Sequence, residues 1–524
     1  VVSAPHYLAA QAGIRLLQAG GNAIDAAIAA NATLNVVYPF VCGTGGDIFM
    51  MIYDAKSDDL YGLNGSGRAP AAATIDWFRA NGHTRMPQRG ILSVSVPGVV
   101  DGWVMAAERF GRLGLAKALQ PAIEYAEEGF GVGPNLHNSI TTVLKAPWCH
   151  PSWRAVYAPD GVAPAVNSIL RVPELGRTLR LIAEQGRDVF YKGELAKALV
   201  EFSEREGGLF TLEDLAEHHG EWVEPLSIRY HDHRIFEMPP NTQGVTALQM
   251  LKMVEGFDLG DSPERAESVH LLIEAKKLAF ADRAAYLTDL EQMKVPPERL
   301  ISEDYLTERR KLIDPTKAAP DCVAGMSNSK GDTIYLCAAD GEGNAVSLIQ
   351  SNYMGVGSGL VVPGTGIELQ NRAAYFSLDP DHVNHIAPRK RTLHTLIPSM
   401  AFKEGHDRPT VVFGTMGGDG QAQTHLQVYT KLISFGMNIQ ETLEAPRWVH
   451  GKTIENPDAS EVLQIETRFP AETLTRLREL GHEVQGAGDW NRLMGYAQGI
   501  TINPENGLLM GGADPRADSA AIGW

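Results

Sequence analysis

Cysteine is scarce and scattered. The chain has four, Cys42, Cys149, Cys322 and Cys337, with no CxxC pair and no spacing of a Cys/His ligand set. That argues against a disulfide-built scaffold and a structural zinc site, and leaves structural or incidental thiols. Long apolar runs are missing too: none reaches the roughly 18 residues of a membrane span. Val1 to Ala10 has neither the basic start nor the apolar centre of a signal peptide, so a soluble protein of the cytoplasm or periplasm is expected. Positive charge is in deficit, with 46 Lys and Arg against 63 Asp and Glu and a net charge of -17. This disfavours nucleic acid or an anionic membrane as partner and points to a small molecule. The glycine-rich stretches Gly43 to Asp47 and Gly355 to Gly359 lack both the Walker lysine and the dinucleotide spacing.

What is present is an ordinary globular composition, 44% hydrophobic and 21% charged over 524 residues. That length suits either several domains or one large layered unit. Helical periodicity marks Pro5 to Gln18 and, after the Gly20-Gly21-Asn22 break, Ala23 to Leu34, whose alanines suit close packing. Ile48 to Tyr53 and Ile91 to Val96 read as strands. From Trp103 to about Phe280 the pattern is mostly helical, as in Leu119 to Glu128, Leu195 to Glu206, Thr246 to Val254 and Val269 to Tyr286. Pro315 to Lys330 reads as an exposed loop. Thr333 to Ala339, the turn Asp340 to Asn344 and Ala345 to Ile349 then form a β-hairpin. Strands follow at Ser399 to Phe402 and Thr410 to Phe413, and helices at Gln421 to Ser434 and Ala471 to Glu479. Strands flanked by helices on both sides predict sheets faced by helices.

Taken alone, Gly331-Asp332-Thr333 is an ordinary loop-to-strand junction, and Gly417-Gly418 an ordinary turn after a strand. Their setting changes the reading. Gly20 to Ala27, Gly43 to Asp47, Val96-Pro97-Gly98, Phe110-Gly111 and Pro121-Ala122-Ile123 come in an ordered series with Gly207-Gly208, Glu213-Asp214-Leu215, Pro239-Pro240 and Gln243-Gly244. Glu274-Ala275, Ala279 to Arg283, Gly331-Asp332-Thr333, Gly364-Thr365-Gly366, Gly417-Gly418 and Asp514-Pro515-Arg516 continue it. In this order the chain resembles the γ-glutamyltransferase family over nearly its whole length.

The resemblance implies an α+β, four-layer αββα fold of the N-terminal-nucleophile hydrolase type. It implies a precursor that cuts itself between Asp332 and Thr333 into a large chain, residues 1–332, and a small chain, residues 333–524, interwoven as one heterodimeric unit, with a dimer of these as a further option. Thr333 would be the nucleophile of both self-cleavage and amide hydrolysis, with Gly417 and Gly418 as oxyanion hole and neither metal nor organic cofactor. The chemistry is coherent: a threonine hydroxyl needs a base, and cleavage creates one, a free α-amine, which ordinarily titrates at about pH 8.

The substrate positions depart from the family's pattern. Ser66 stands where a carboxylate-binding arginine is usual, with Arg68 two residues on; Tyr375 replaces the amine-binding aspartate; His394 and Thr395 replace paired serines; and Arg372 replaces a glutamine. Ser351 completes the expected substrate-binding set. A tyrosine cannot supply the charge an ammonium prefers, so the expected substrate is a small amide with a carboxylate and no α-amine, as oxamate-type hydrolases take. A γ-glutamyltransferase or glutathione hydrolase with a rearranged pocket, and a non-catalytic relative, are the alternatives.

Overall fold

The computed structural model describes residues 1–319, 332–451 and 461–524; Gly331 and Cys322 lie outside these. Thirteen strands build its two large sheets: β1 Val2–Ala4, β2 Asp47–Asp54, β3 Asp59–Gly65, β4 Glu221–Val223, β5 Leu226–Tyr230, β6 His233–Glu237, β7 Asp332–Ala339, β8 Ala345–Tyr353, β9 Ser399–Lys403, β10 Pro409–Thr415, β11 Ala497–Ile502, β12 Leu509–Ala513 and β13 Ala520–Ile522. The first sheet has the order β13-β1-β7-β8-β2-β3-β4 and the second β12-β11-β10-β9-β6-β5. Each therefore takes strands from both sides of residue 333.

Alternation along the strands makes the layers. On β2, Ile48, Met50 and Ile52 join one core with helices α1 Tyr7–Gln18, α2 Ala23–Val37, α3 Val99–Phe110 and α4 Leu115–Glu128. The intervening Phe49, Met51 and Tyr53 meet Met400, Val412 and Ile500 of the second sheet. The far face of that sheet, with Ile235, Ala401 and Phe413, packs on α5 Gly244–Val254, α6 Ala266–Tyr286 and α7 Gly420–Tyr429. Helices, sheet, sheet, helices is the four-layer αββα arrangement expected, since period-two side chains give every strand two buried faces.

Local chemistry sets the helix starts. Asn22 and Asp25 form a reciprocal capping box at α2, whose fifteen residues are all buried. The β7–β8 hairpin is as expected. Ile91 to Val96 is not a strand: Ile91–Ser93 is a 3-10 turn in which the Ser93 hydroxyl bonds the Gly90 carbonyl, and Val96 then bonds Arg68 outside either sheet. The mostly helical stretch also contains β4, β5 and β6, short strands whose alternation spans too few residues to stand out. Among the described residues no helix is long and apolar enough to cross a membrane.

Candidate active site

Three strands of the first sheet bring polar side chains to one rim of the inter-sheet layer. Thr333, the second residue of β7, is 1% exposed, and its Oγ1 donates to Ser351 Oγ at 3.0 Å. Ser351 Oγ also accepts the Tyr353 N–H at 2.7 Å. Ser351 stands directly opposite Asp47 on β2. Thr333, Ser351 and Asp47 thus form a row across adjacent strands spaced about 4.8 Å apart. Asp332 pairs with Tyr353 across the hairpin, beyond a register shift after Gln350.

The second sheet faces this row. Tyr335 lies so close over Gly414 of β10 that a β-carbon there would come within 2.4 Å of the ring. Two residues toward the rim, β7 carries Thr333, and β10 runs past Thr415 into Met416 and Gly417-Gly418. Their φ angles of 132° and 55° belong to glycine. The Gly417 and Gly418 carbonyls accept from Gly420 and Gln421 at the start of α7, at 2.9 and 3.1 Å. This occupies the carbonyls and leaves the pair's amides out of those turn bonds.

Beside this row lies a dense polar cluster. His394 Nδ1 accepts the Leu396 N–H, so Nε2 carries the proton and donates to Asp47 Oδ2 at 3.0 Å. Asp47 Oδ1 accepts the Gly67 N–H at 2.9 Å. Arg372 is 1% exposed, bonds Thr395 Oγ1 through Nη1 at 3.2 Å, sits 4.2 Å over the Tyr353 ring and keeps Nε 3.9 Å from Asp47. Its Nε and Nη2 have no hydrogen-bond partner. Burial pushes the Asp47 carboxyl up to about 7 against the pull of Arg372 and Gly67. Burial, then Arg372, holds His394 well below the usual imidazole range. Burial also lowers Arg372, against Asp47.

Tyr375 sends its hydroxyl to Asp419 Oδ1 at 2.6 Å, and Arg283 donates to the same oxygen at 2.7 Å. Arg283 also holds Gln243, whose Nε2 bridges the carbonyls of Thr395 and Gly418. The acid nearest Tyr375 is therefore already neutralised by an arginine.

Of the expected residues, the structure gathers Thr333, Ser351, Arg372, Tyr375, His394, Thr395, Gly417 and Gly418. It does not bring Arg68 to them. That side chain pairs with Glu221 at 2.9 Å and Asp289 at 3.6 Å in a separate cleft of about 350 Å³. Ser66 bonds Asn64 instead. The sequence reading overlooked Asp47, Gln243, Arg283 and Asp419 as parts of the site. The signal was available: each is an ionisable or amide side chain beside glycine or inside one of the ordered motifs, where a polar residue without a structural reason invites attention.

Elsewhere, His270, Glu274 and His482 stand close enough to suggest a metal. The residues do not fit one: His270 Nδ1 and His482 Nε2 are hydrogen-bonded at 2.8 Å, and Glu274 carries the Lys277 ammonium at 2.8 Å and the Ala319 N–H at 3.0 Å. Cys42 and Cys337 are buried free thiols, pushed up by burial, and Cys149 is a half-buried one.

Comparison with known proteins places this geometry. The family model described as Gamma-glutamyltranspeptidase matches residues 9–524. The chain is 40% identical over 529 residues to the glutathione hydrolase-like YwrD proenzyme of Bacillus subtilis, covering 100% of this chain and 98% of that protein. It is 38% identical over 527 residues to the oxamate amidohydrolase proenzyme of Klebsiella pneumoniae, covering 99% and 98%. The crystal structure of cephalosporin acylase from Bacillus halodurans superposes with a TM-score of 0.93 at 43% identity, covering 100% of this chain and 95% of that one.

Proposed function

The chain belongs to the γ-glutamyltranspeptidase family of amide hydrolases and acyltransferases, whose relatives here are made as proenzymes, and on that footing we propose that it is an N-terminal-threonine amide hydrolase acting on acyl groups that carry a carboxylate. The observation that carries this reading is the rim: a buried hydroxyl held by Ser351, a glycine pair tied through Gln243 to Thr395, and beside Thr395 an arginine with two nitrogens that make no hydrogen bond.

Maturation comes first. Thr333 Oγ1 attacks the Asp332 carbonyl carbon, the C–N bond breaks, and the acyl group moves from nitrogen to oxygen; water then opens the ester. Residues 1–332 and 333–524 remain as a heterodimer, interleaved in both sheets. The freed Thr333 amine takes the hydroxyl proton as Oγ1 attacks a substrate amide, and gives it to the departing amine. Ser351 fixes the Thr333 rotamer. The amides of the Gly417-Gly418 pair receive the oxyanion, a contribution typically worth about 10²- to 10³-fold per donor. Water then releases the acid and restores Thr333.

Specificity follows from charge. Arg372 can make a bidentate pair with a carboxylate through the Nε–Nη2 edge, which makes no hydrogen bond within the protein. An α-ammonium would meet Tyr375, and the acid behind it is held by Arg283. Such an ammonium forgoes a charge-assisted bond of about 1.5–3 kcal/mol. The relatives named for oxamate and cephalosporin cleavage fit this reading, and the glutathione hydrolase-like one supports the γ-glutamyl alternative. The test is kcat/KM of the mature protein for glutathione against carboxylate-bearing amides without an α-amine. The amides should lead by at least tenfold, and Arg372→Ala should cost them about ten- to a hundredfold. Glutathione in the lead, with Arg372→Ala silent, would return the protein to γ-glutamyl transfer.

A further inference from the structure

Gln421, in the first turn of α7, is fully buried, and neither Oε1 nor Nε2 has a hydrogen-bond partner. Every other buried glutamine among the described residues is paired, as with Gln243, Gln249, Gln423 and Gln427. Among those residues the one other buried carboxamide without partners, Asn352, lies against Gly43 and Gly46, on the helix side of the first sheet. A buried amide left unpaired costs free energy, so the orphan at Gln421 calls for a ligand group.

Its direction can be read from the helix. At about 100° per residue, Gln421 lies between Thr424, which bonds the Met494 carbonyl, and His425, which bonds Glu237 of β6; Gln423 points away, to His450. Helical side chains lean toward the N-terminus, so the carboxamide leans back over Gly417-Gly418. A β-carbon at Gly417 would stand 3.6 Å from Gly495, which places the Met494–Gly495 strip on that flank of the pair. On the other flank, Gln243 ties Gly418 to Thr395 and so to Arg372. With the acyl carboxylate at Arg372, the amine side of the scissile bond falls toward Gln421.

We propose that Gln421 is a leaving-group-binding residue: Oε1 accepts a hydrogen bond from the N–H of the scissile amide while its carbonyl sits at the glycine pair. This rests on the reading of Thr333 given above. The substrate class it selects is an amide that keeps an N–H on the leaving nitrogen, over an ester or a tertiary amide of the same acyl group.

The test uses the self-cleaved protein and a matched amide and ester differing only by NH for O in the leaving group. Gln421→Met, which keeps the length of the side chain and removes its hydrogen bonds, should lower kcat/KM for the amide about tenfold and for the ester less than threefold. Gln421→Glu, which retains an acceptor oxygen, should keep the amide-to-ester ratio within about threefold of wild type and decides the matter if the methionine variant does not mature. An equal loss on both substrates, or an unchanged ratio in Gln421→Met, overturns the role. Failure of the underlying reading looks different: wild-type protein would then stay uncut or leave both substrates intact.

Discussion

Followed along its inward face, β2 reads Asp47, Phe49, Met51, Tyr53, and β7 reads Thr333, Tyr335, Cys337, Ala339. The same strands, on the same alternating face, begin with reactive or charged groups at one rim and continue as packing in the middle of the layer. At the rim, polar groups are buried with bonds to spare: Arg372 and Gln421 hold atoms that make no hydrogen bond. In the middle, Met51, Tyr335, Val412 and Ile500 form one apolar cluster. Each unpaired polar atom costs about 1–3 kcal/mol, and burial of the middle, at about 25 cal/mol per Å², offsets it. On the proposed function, the contrast teaches that this fold separates stability from chemistry by position along a strand, not by domain.

The separation can be attacked from either end. Between the glycine pair and the apolar middle, the larger effect on turnover is expected at the glycine pair. Gly417→Ala has room for its methyl, with 3.6 Å to the nearest atom, but φ of 132° is strained for alanine. Amide orientation should shift, and kcat should fall about 10²- to 10³-fold with the fold retained by circular dichroism. A near-normal kcat would move the oxyanion site elsewhere. Ile500→Ala, at the apolar middle, should do the reverse: denaturant titration should show a loss of about 2–5 kcal/mol, while kcat/KM of the folded protein stays within twofold. A large activity loss at unchanged stability would erase the contrast.

The smallest effect concerns charge at the rim. Asp47, pushed up to about 7, loses its charge as the pH falls below that value. Arg372 then lacks its internal counter-charge, and in its proposed role it should bind a substrate carboxylate more tightly. KM for carboxylate-bearing amides should therefore fall severalfold from pH 8 to pH 6, roughly threefold to tenfold, with His394 neutral throughout. Asp47→Asn should show the low KM at both pH values. A KM that is flat in wild type, or that rises on acidification, would detach Asp47 from Arg372.

Much of this was legible in the chain. The β7–β8 hairpin follows from alternation and a glycine turn, and α2 from its alanines after the Gly20-Gly21-Asn22 break, because those signals are local. The position of Thr333, the glycine pair and the altered substrate residues came from motif order. Arg68 misled because two residues along a turn look near in sequence, whereas the chain there turns its side chain to Glu221. Asp47, Gln243, Arg283 and Asp419 each carried a local signal, but their partnership did not, because it is made by contacts between residues well apart in the chain, 40 positions for Arg283 with Gln243 and 136 for Arg283 with Asp419. No local pattern records such a contact.

The central claim, that Thr333 is both scissors and nucleophile, is tested most directly by intact mass of wild-type and Thr333→Ala protein, with amide hydrolysis measured on the same samples. Wild type should yield two fragments meeting at the Asp332-Thr333 bond and should be active. Thr333→Ala should remain one chain, with activity lowered by at least about a thousandfold. Normal cleavage at that bond in Thr333→Ala, or hydrolysis surviving in it, would contradict the account.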